Sequence, residues 1–199
     1  ADAPAMFGFR PSVLWEKERA EILQRLRQLV TTDFSGDALP VPRMVLEVER
    51  AFIISRLSMR LKGVIDRIDQ YGDQVFVIDY KSSSSGGELY RRAALERGQN
   101  VQLLIYLMAL EDRFSEGVTG YFWHLGDAKL SEPLAYDDAG MTAMDAGKQH
   151  IARSLEAVMR ADFSAQPARL TDGKCARYCE FSHLCRVSVM SRSKRMGDA

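Results

Sequence analysis

Two carboxylates and a lysine fall on what reads as a single β-hairpin, and that stretch constrains the chain more than any other. Leu61–Tyr71 and Gln74–Lys81 are runs rich in β-branched and aromatic residues, separated by Gly72-Asp73. Gly-Asp between such runs signals a two-residue hairpin, with the glycine supplying positive φ at the first central position. If Tyr71 pairs with Gln74, the register sets Asp66 directly across from Asp79, with Lys81 two residues further on the same side. Like charges opposed on a sheet repel, so the pair needs a reason, and a bound divalent cation is the best one. A solvated strand face or a structural pair is the plain alternative. The neighbours argue against solvation: Val64, Ile68 and Val77 share the aspartates' face and Ile65, Phe76 and Ile78 line the other, so the sheet is covered on both sides.

The chain has 199 residues, 46% of them hydrophobic and 27% charged, enough for one globular domain with a sizeable core. Its 27 basic and 27 acidic side chains cancel, so bulk charge does not announce a nucleic-acid partner. Local clusters must carry that argument instead, at Arg91-Arg92 with Arg97 and in the tail at Arg186, Arg192, Lys194 and Arg195, and clusters of this size are more often a solvated surface than a binding patch. No apolar run is long enough to span a bilayer and no secretory signal is visible, so no membrane role and a cytoplasmic location are expected. The chain starts at Ala1 rather than Met, which suggests a piece of a longer protein.

Residues 1–11 read as an irregular entry, and a helix is expected from Ser12 with Trp15, Ile22, Leu26 and Leu29 on one stripe. A loop follows over 31–42, then strands near 44–57, 61–71 and 74–81. Ser82–Gly87 reads as a flexible breaker. A helix is expected over 98–112, a strand over 117–125, a further short strand within 129–136 and a long helix over 137–161. Successive strands joined by tight turns pair antiparallel, and only a later crossover strand can be parallel. The expected class is therefore α/β, a mixed sheet flanked by helices, with a core over 1–165 and a cysteine-bearing loop and basic tail over 166–199.

Behind the hairpin, Gln102 and Tyr106 share one helix face, a turn apart. The ordered set Glu49, Gly63-Val64-Ile65-Asp66-Arg67-Ile68-Asp69, Val77-Ile78-Asp79-Tyr80-Lys81 and Gln102-Leu103-Leu104-Ile105-Tyr106 resembles the PD-(D/E)XK nuclease superfamily. More narrowly, it is similar to the RecB/AddB-type nuclease domains of bacterial DNA-repair and recombination helicase–nucleases, over roughly residues 45–186. The resemblance implies a restriction-endonuclease-like core and a Mg²⁺- or Mn²⁺-dependent deoxyribonuclease, in its leading form an exonuclease acting on single strands or duplex ends and working with a helicase. Asp66, Asp79 and the Tyr80 carbonyl would hold the metal, a donor set that hard cations favour. Lys81 would orient the nucleophile or offset transition-state charge, and Glu49 would help position a metal or water. Gln102 and Tyr106 would hold the lysine loop or the DNA backbone.

Cys175, Cys179 and Cys185 resemble the C-terminal cysteines that close an iron–sulfur cluster in some members of this superfamily. Such clusters take four thiolates and this chain supplies three, so a [4Fe–4S] centre belongs only to a protein that extends further at its N-terminus. The histidines at 124, 150 and 183 have no ligand spacing, and His124 reads as a packing or hydrogen-bonding residue. Two other readings stand beside the nuclease: a catalytically weak nuclease fold used for DNA binding or scaffolding, and a metal-stapled interaction module.

Overall fold

The computed structural model describes residues 6–8, 12–56, 59–114 and 117–162. The chain divides into two compact units, residues 1–153 and 154–199, the second described only over 154–162. Helix α1 (Val13–Ser35) starts where the Ser12 hydroxyl accepts the Trp15 N–H, a side-chain cap on an otherwise orphaned donor. It runs past the expected end at residue 31 and closes on Gly36, whose φ of 85° is left-handed. The expected stripe is only partly used: Leu29 and Asp33 are buried, whereas Ile22 and Leu26 are exposed.

Strands β1 (Met44–Arg56), β2 (Met59–Tyr71) and β3 (Gln74–Lys81) form an antiparallel meander. Gly72 takes a φ of 57° and Tyr71 pairs with Gln74, as the hairpin signal requires. A 3₁₀ turn (Glu88–Tyr90), helix α2 (Arg92–Glu96) and helix α3 (Gln102–Leu110) then cross over to β4 (Val118–His124), which pairs parallel with β3 from Val75/Val118 to Lys81/His124. Strands β5 (Lys129–Leu130) and β6 (Leu134–Ala135) both pair antiparallel with β4, and helix α4 (Asp138–Met159) follows. The result is the expected mixed sheet, in the order β1-β2-β3-β4-β5.

Alternation along β3 sends its side chains into two cores. Val75 and Val77 join Ile68, Leu103, Leu104, Leu107 and Met144 on the face covered by α3 and α4. Phe76 and Ile78 join Leu29, Leu39 and Trp123 on the other. One expected face assignment is wrong. Ile65 packs with Ile68 and Val77, and Val64 is exposed, so β2 breaks its period of two beside Asp66. On β1 the register brings Glu49 opposite Asp66, between the pairs Val48/Arg67 and Arg50/Ile65. Glu49 has a φ of 52°, a left-handed conformation that costs a non-glycine residue about 1–2 kcal/mol. Leu46 and Phe52, six residues apart on β1, pack against the same core.

Candidate active site

The hairpin register holds from Tyr71/Gln74 to Arg67/Ile78, and backbone pairing stops one step short of Asp66 and Asp79. There the Asp66 carboxylate accepts the Tyr80 N–H at 2.9 Å. A side chain thus replaces a main-chain acceptor, and the two strands part into a fork whose prongs carry the two acids.

Asp79 is buried, at 2% exposure, and is held from three directions. Gln102 Nε2 donates to its Oδ1 at 2.7 Å, the Tyr106 hydroxyl donates to the same oxygen at 3.2 Å, and Lys81 Nζ lies 2.6 Å from Oδ2. The Gln102 amide is fully used, because Nε2 also donates to the Tyr106 hydroxyl at 2.8 Å while Oε1 accepts from Lys81 Nζ at 2.8 Å. Only this amide orientation works, since a flip would aim the amide nitrogen at the ammonium. Lys81 also sits 5.1 Å from the Phe122 ring centroid, within cation–π range. The spacing of four on α3 that the sequence displays therefore brings Gln102 and Tyr106 to one carboxylate.

Burial pushes the Asp79 carboxyl above its usual range, and the charge of Asp66 adds to that; the Lys81 ammonium works against both. Burial, together with the Asp79 charge, pushes the Tyr106 hydroxyl up to about 12, so it stays protonated and remains a donor. Asp79 Oδ2 is buried, and its partner among the described residues is the Lys81 ammonium 2.6 Å away. Carboxylates and a backbone carbonyl are hard oxygen donors of the kind a small divalent cation takes. Among the described residues no group of three or more His, Cys, Asp and Glu side chains gathers. The acids at the fork are Asp66 and Asp79, and Glu49, opposite Asp66 on β1, is exposed.

Four charged residues that sequence reasoning left without a role hold the fork from behind. Arg67 grips Asp69 with two hydrogen bonds, of 2.7 and 2.6 Å, and donates to Asp33 at 2.7 Å and to the Tyr80 hydroxyl at 3.0 Å. Arg43 donates to Asp69 at 2.7 Å and pairs with Asp33. Side chains 0–10% exposed thus form a neutral cluster of two arginines and two aspartates joining α1, β1's lead-in, β2 and β3. Burial works to lower the Arg67 pKa, but its bonds to Asp69 and Tyr80 win and raise it. A signal was present: Arg67 and Asp69 alternate onto the face of Phe76 and Ile78, and charges on a covered face must be paired.

Cys175, Cys179 and Cys185 lie outside the described residues. Within those residues no helix is long and apolar enough to cross a membrane. A mixed sheet whose central fork carries two acids and a lysine, backed by a helix that supplies a glutamine and a tyrosine, defines the restriction-endonuclease-like class. The model of the PD-(D/E)XK nuclease superfamily matches residues 3–186, and the chain belongs to that superfamily. Nuclease activity and use of a divalent metal ion are general to it, with DNA the implied substrate. No curated protein matches the chain.

Proposed function

We propose that this chain is the nuclease domain of a RecB/AddB-type helicase–nuclease, a Mg²⁺- or Mn²⁺-dependent deoxyribonuclease that degrades DNA from its ends during repair and recombination in the cytoplasm. The observation that carries the reading is the convergence at the fork of Asp66, Asp79 and Lys81, with the Gln102 side-chain amide donating to Asp79 and accepting from Lys81. The narrower assignment rests on the order of Glu49, the Gly63–Asp69 run, Asp79-Tyr80-Lys81 and Gln102…Tyr106.

In this reading Asp66, Asp79 and the Tyr80 carbonyl hold the cation. When bound, it polarises the scissile phosphate and acidifies a water. The chain's own residues do the rest. Gln102 Oε1, which accepts from Lys81 Nζ at 2.8 Å, would keep the ammonium near the phosphate if a cation took the place of its contact with Asp79 Oδ2. There Lys81 offsets the negative charge that grows on the phosphate oxygens in the transition state. Tyr106, protonated at any working pH, keeps Oδ1 of Asp79 occupied and so leaves Oδ2 facing Lys81. Glu49, across β2 from Asp79, fits the outer acidic role of orienting metal or water. Incubating the purified chain with end-labelled linear DNA tests this: hydrolysis should need Mg²⁺ or Mn²⁺, stop with chelator and vanish in Asp79→Ala. Equal digestion by wild type and Asp79→Ala would reduce the domain to a DNA-binding scaffold carrying a contaminating nuclease.

A further inference from the structure

We propose that the turn joining β4 to β5 positions Lys81, acting through the serine-rich loop that follows β3, with Asp127 and His124 as its positioning residues. The inference rests on the catalytic reading of Lys81 given above. Ser82–Gly87 looks from its composition like a hinge, yet the structure ties it down. The Lys81 carbonyl accepts the Leu125 N–H at 2.8 Å, and the Ser83 carbonyl accepts the Gly126 N–H at 3.2 Å. His124 Nδ1 lies 3.3 Å from the Ser83 hydroxyl. The Asp127 carboxylate takes two bonds from one residue, the Ser85 N–H at 3.1 Å and its hydroxyl at 2.6 Å.

Two features show that the turn is shaped for this approach. A Cβ at Gly126 would lie 2.9 Å from the Ser83 carbonyl carbon and from the Ser84 nitrogen, so any side chain there drives the loop away. Ala128 holds a φ of 50°, a conformation that stores strain and recurs beside functional sites.

The clamp reaches the ammonium by two routes. One is the main chain, because Lys81 is the last residue of β3 and its carbonyl is held by the turn. A strand end without such a partner frays. The other is aromatic: Tyr90 packs edge-on against both His124, at 4.8 Å, and Phe122, at 5.1 Å, and Phe122 is the ring beneath Lys81 Nζ. His124 is fully buried and paired in register with Lys81, and burial keeps it below the usual histidine pKa, so it adds packing beside the lysine without a competing positive charge.

A misplacement of about 1 Å at a reacting group costs on the order of 10²-fold in rate. The full chain is assayed under single-turnover conditions, with enzyme in excess over labelled linear DNA, so that weak variants remain measurable. Asp127→Ala should lower the cleavage rate by about 10-fold or more with the half-saturating Mn²⁺ concentration unchanged, while Asp127→Asn, which keeps an acceptor and a donor for Ser85, restores most of it. Gly126→Ala should lose about as much as Asp127→Ala. In a Lys81→Ala background Asp127→Ala should cost nothing more, because its effect runs through the lysine. The same loss in both backgrounds, or full activity in Asp127→Ala, overturns the proposal. If Asp127→Ala does not fold, Ser85→Ala, which removes only the hydroxyl, is read by the same criteria. A wild-type chain that cleaves nothing with either metal instead refutes the nuclease reading itself.

Discussion

Arg67→Met removes the guanidinium that joins Asp33, Asp69 and Tyr80 behind the fork, and its cost can be worked from the contacts. Four hydrogen bonds are lost, and Asp33 and Asp69 are left buried with Arg43 as their one cation in the cluster. Taking one partner from a buried ion cluster costs about 3–5 kcal/mol, because the uncompensated charge stays out of water. A domain is stable by about 5–15 kcal/mol in total, so the loss is a large share. With a urea m-value of about 3 kcal/mol/M, the unfolding midpoint should fall by about 1–1.7 M. Asp69→Asn in the same chain restores neutrality, so the double variant should be more stable than the two single losses predict, by about 1–3 kcal/mol. A single-variant loss below about 1 kcal/mol, or strict additivity, would show that the cluster is not the staple its geometry implies.

Three further perturbations follow from the site. In chelator, Asp79→Asn should stabilise the domain relative to wild type increasingly as pH rises. The folded pKa of Asp79 lies above its unfolded value of about 4, so its contribution is fully present below that value and is lost as pH climbs through the higher folded one. Thermal melts from pH 4 to 7 check the sign, and a wild type that gains on the variant with rising pH contradicts it. Gly63→Ala puts a Cβ 2.7 Å from the Phe52 ring, which packs edge-on against Tyr106 at 5.8 Å; cleavage should fall by about 10-fold, on the order of a sub-ångström displacement, with less effect in a Tyr106→Phe background. Saturating Mg²⁺ or Mn²⁺ should raise the melting temperature of wild type, equivalent to about 2.7 kcal/mol at a hundredfold excess over Kd, and Asp66→Asn should abolish the rise.

The hairpin was legible because its signals are local. Strand period, Gly72-Asp73 and the pairing of Tyr71 with Gln74 fix the register without reference to anything distant. The same local logic fails at Asp66, beside which β2 breaks its alternation and where the aspartate spends its side chain on the Tyr80 N–H. Gln102 and Tyr106 could be placed on one face from their spacing, but the three-way use of the glutamine amide depends on where α3 lands against β3. The Arg67 cluster draws on Asp33, 34 residues away, and the serine loop on Asp127, 42 residues away. Four consecutive serines carry no local information about an acceptor that remote, so composition alone suggests a hinge where packing makes a clamp.

Metal binding and the step that needs the lysine are separable at this site, and a paired experiment on Lys81→Ala addresses both at once. Titration calorimetry with Mn²⁺ should show this variant binding at least as tightly as wild type, since the ammonium no longer competes for Asp79 Oδ2, while its DNA cleavage falls to a residual rate measurable only with enzyme in excess. Lys81→Ala that cleaves at the wild-type rate, or that fails to bind Mn²⁺ although folded, would contradict the account.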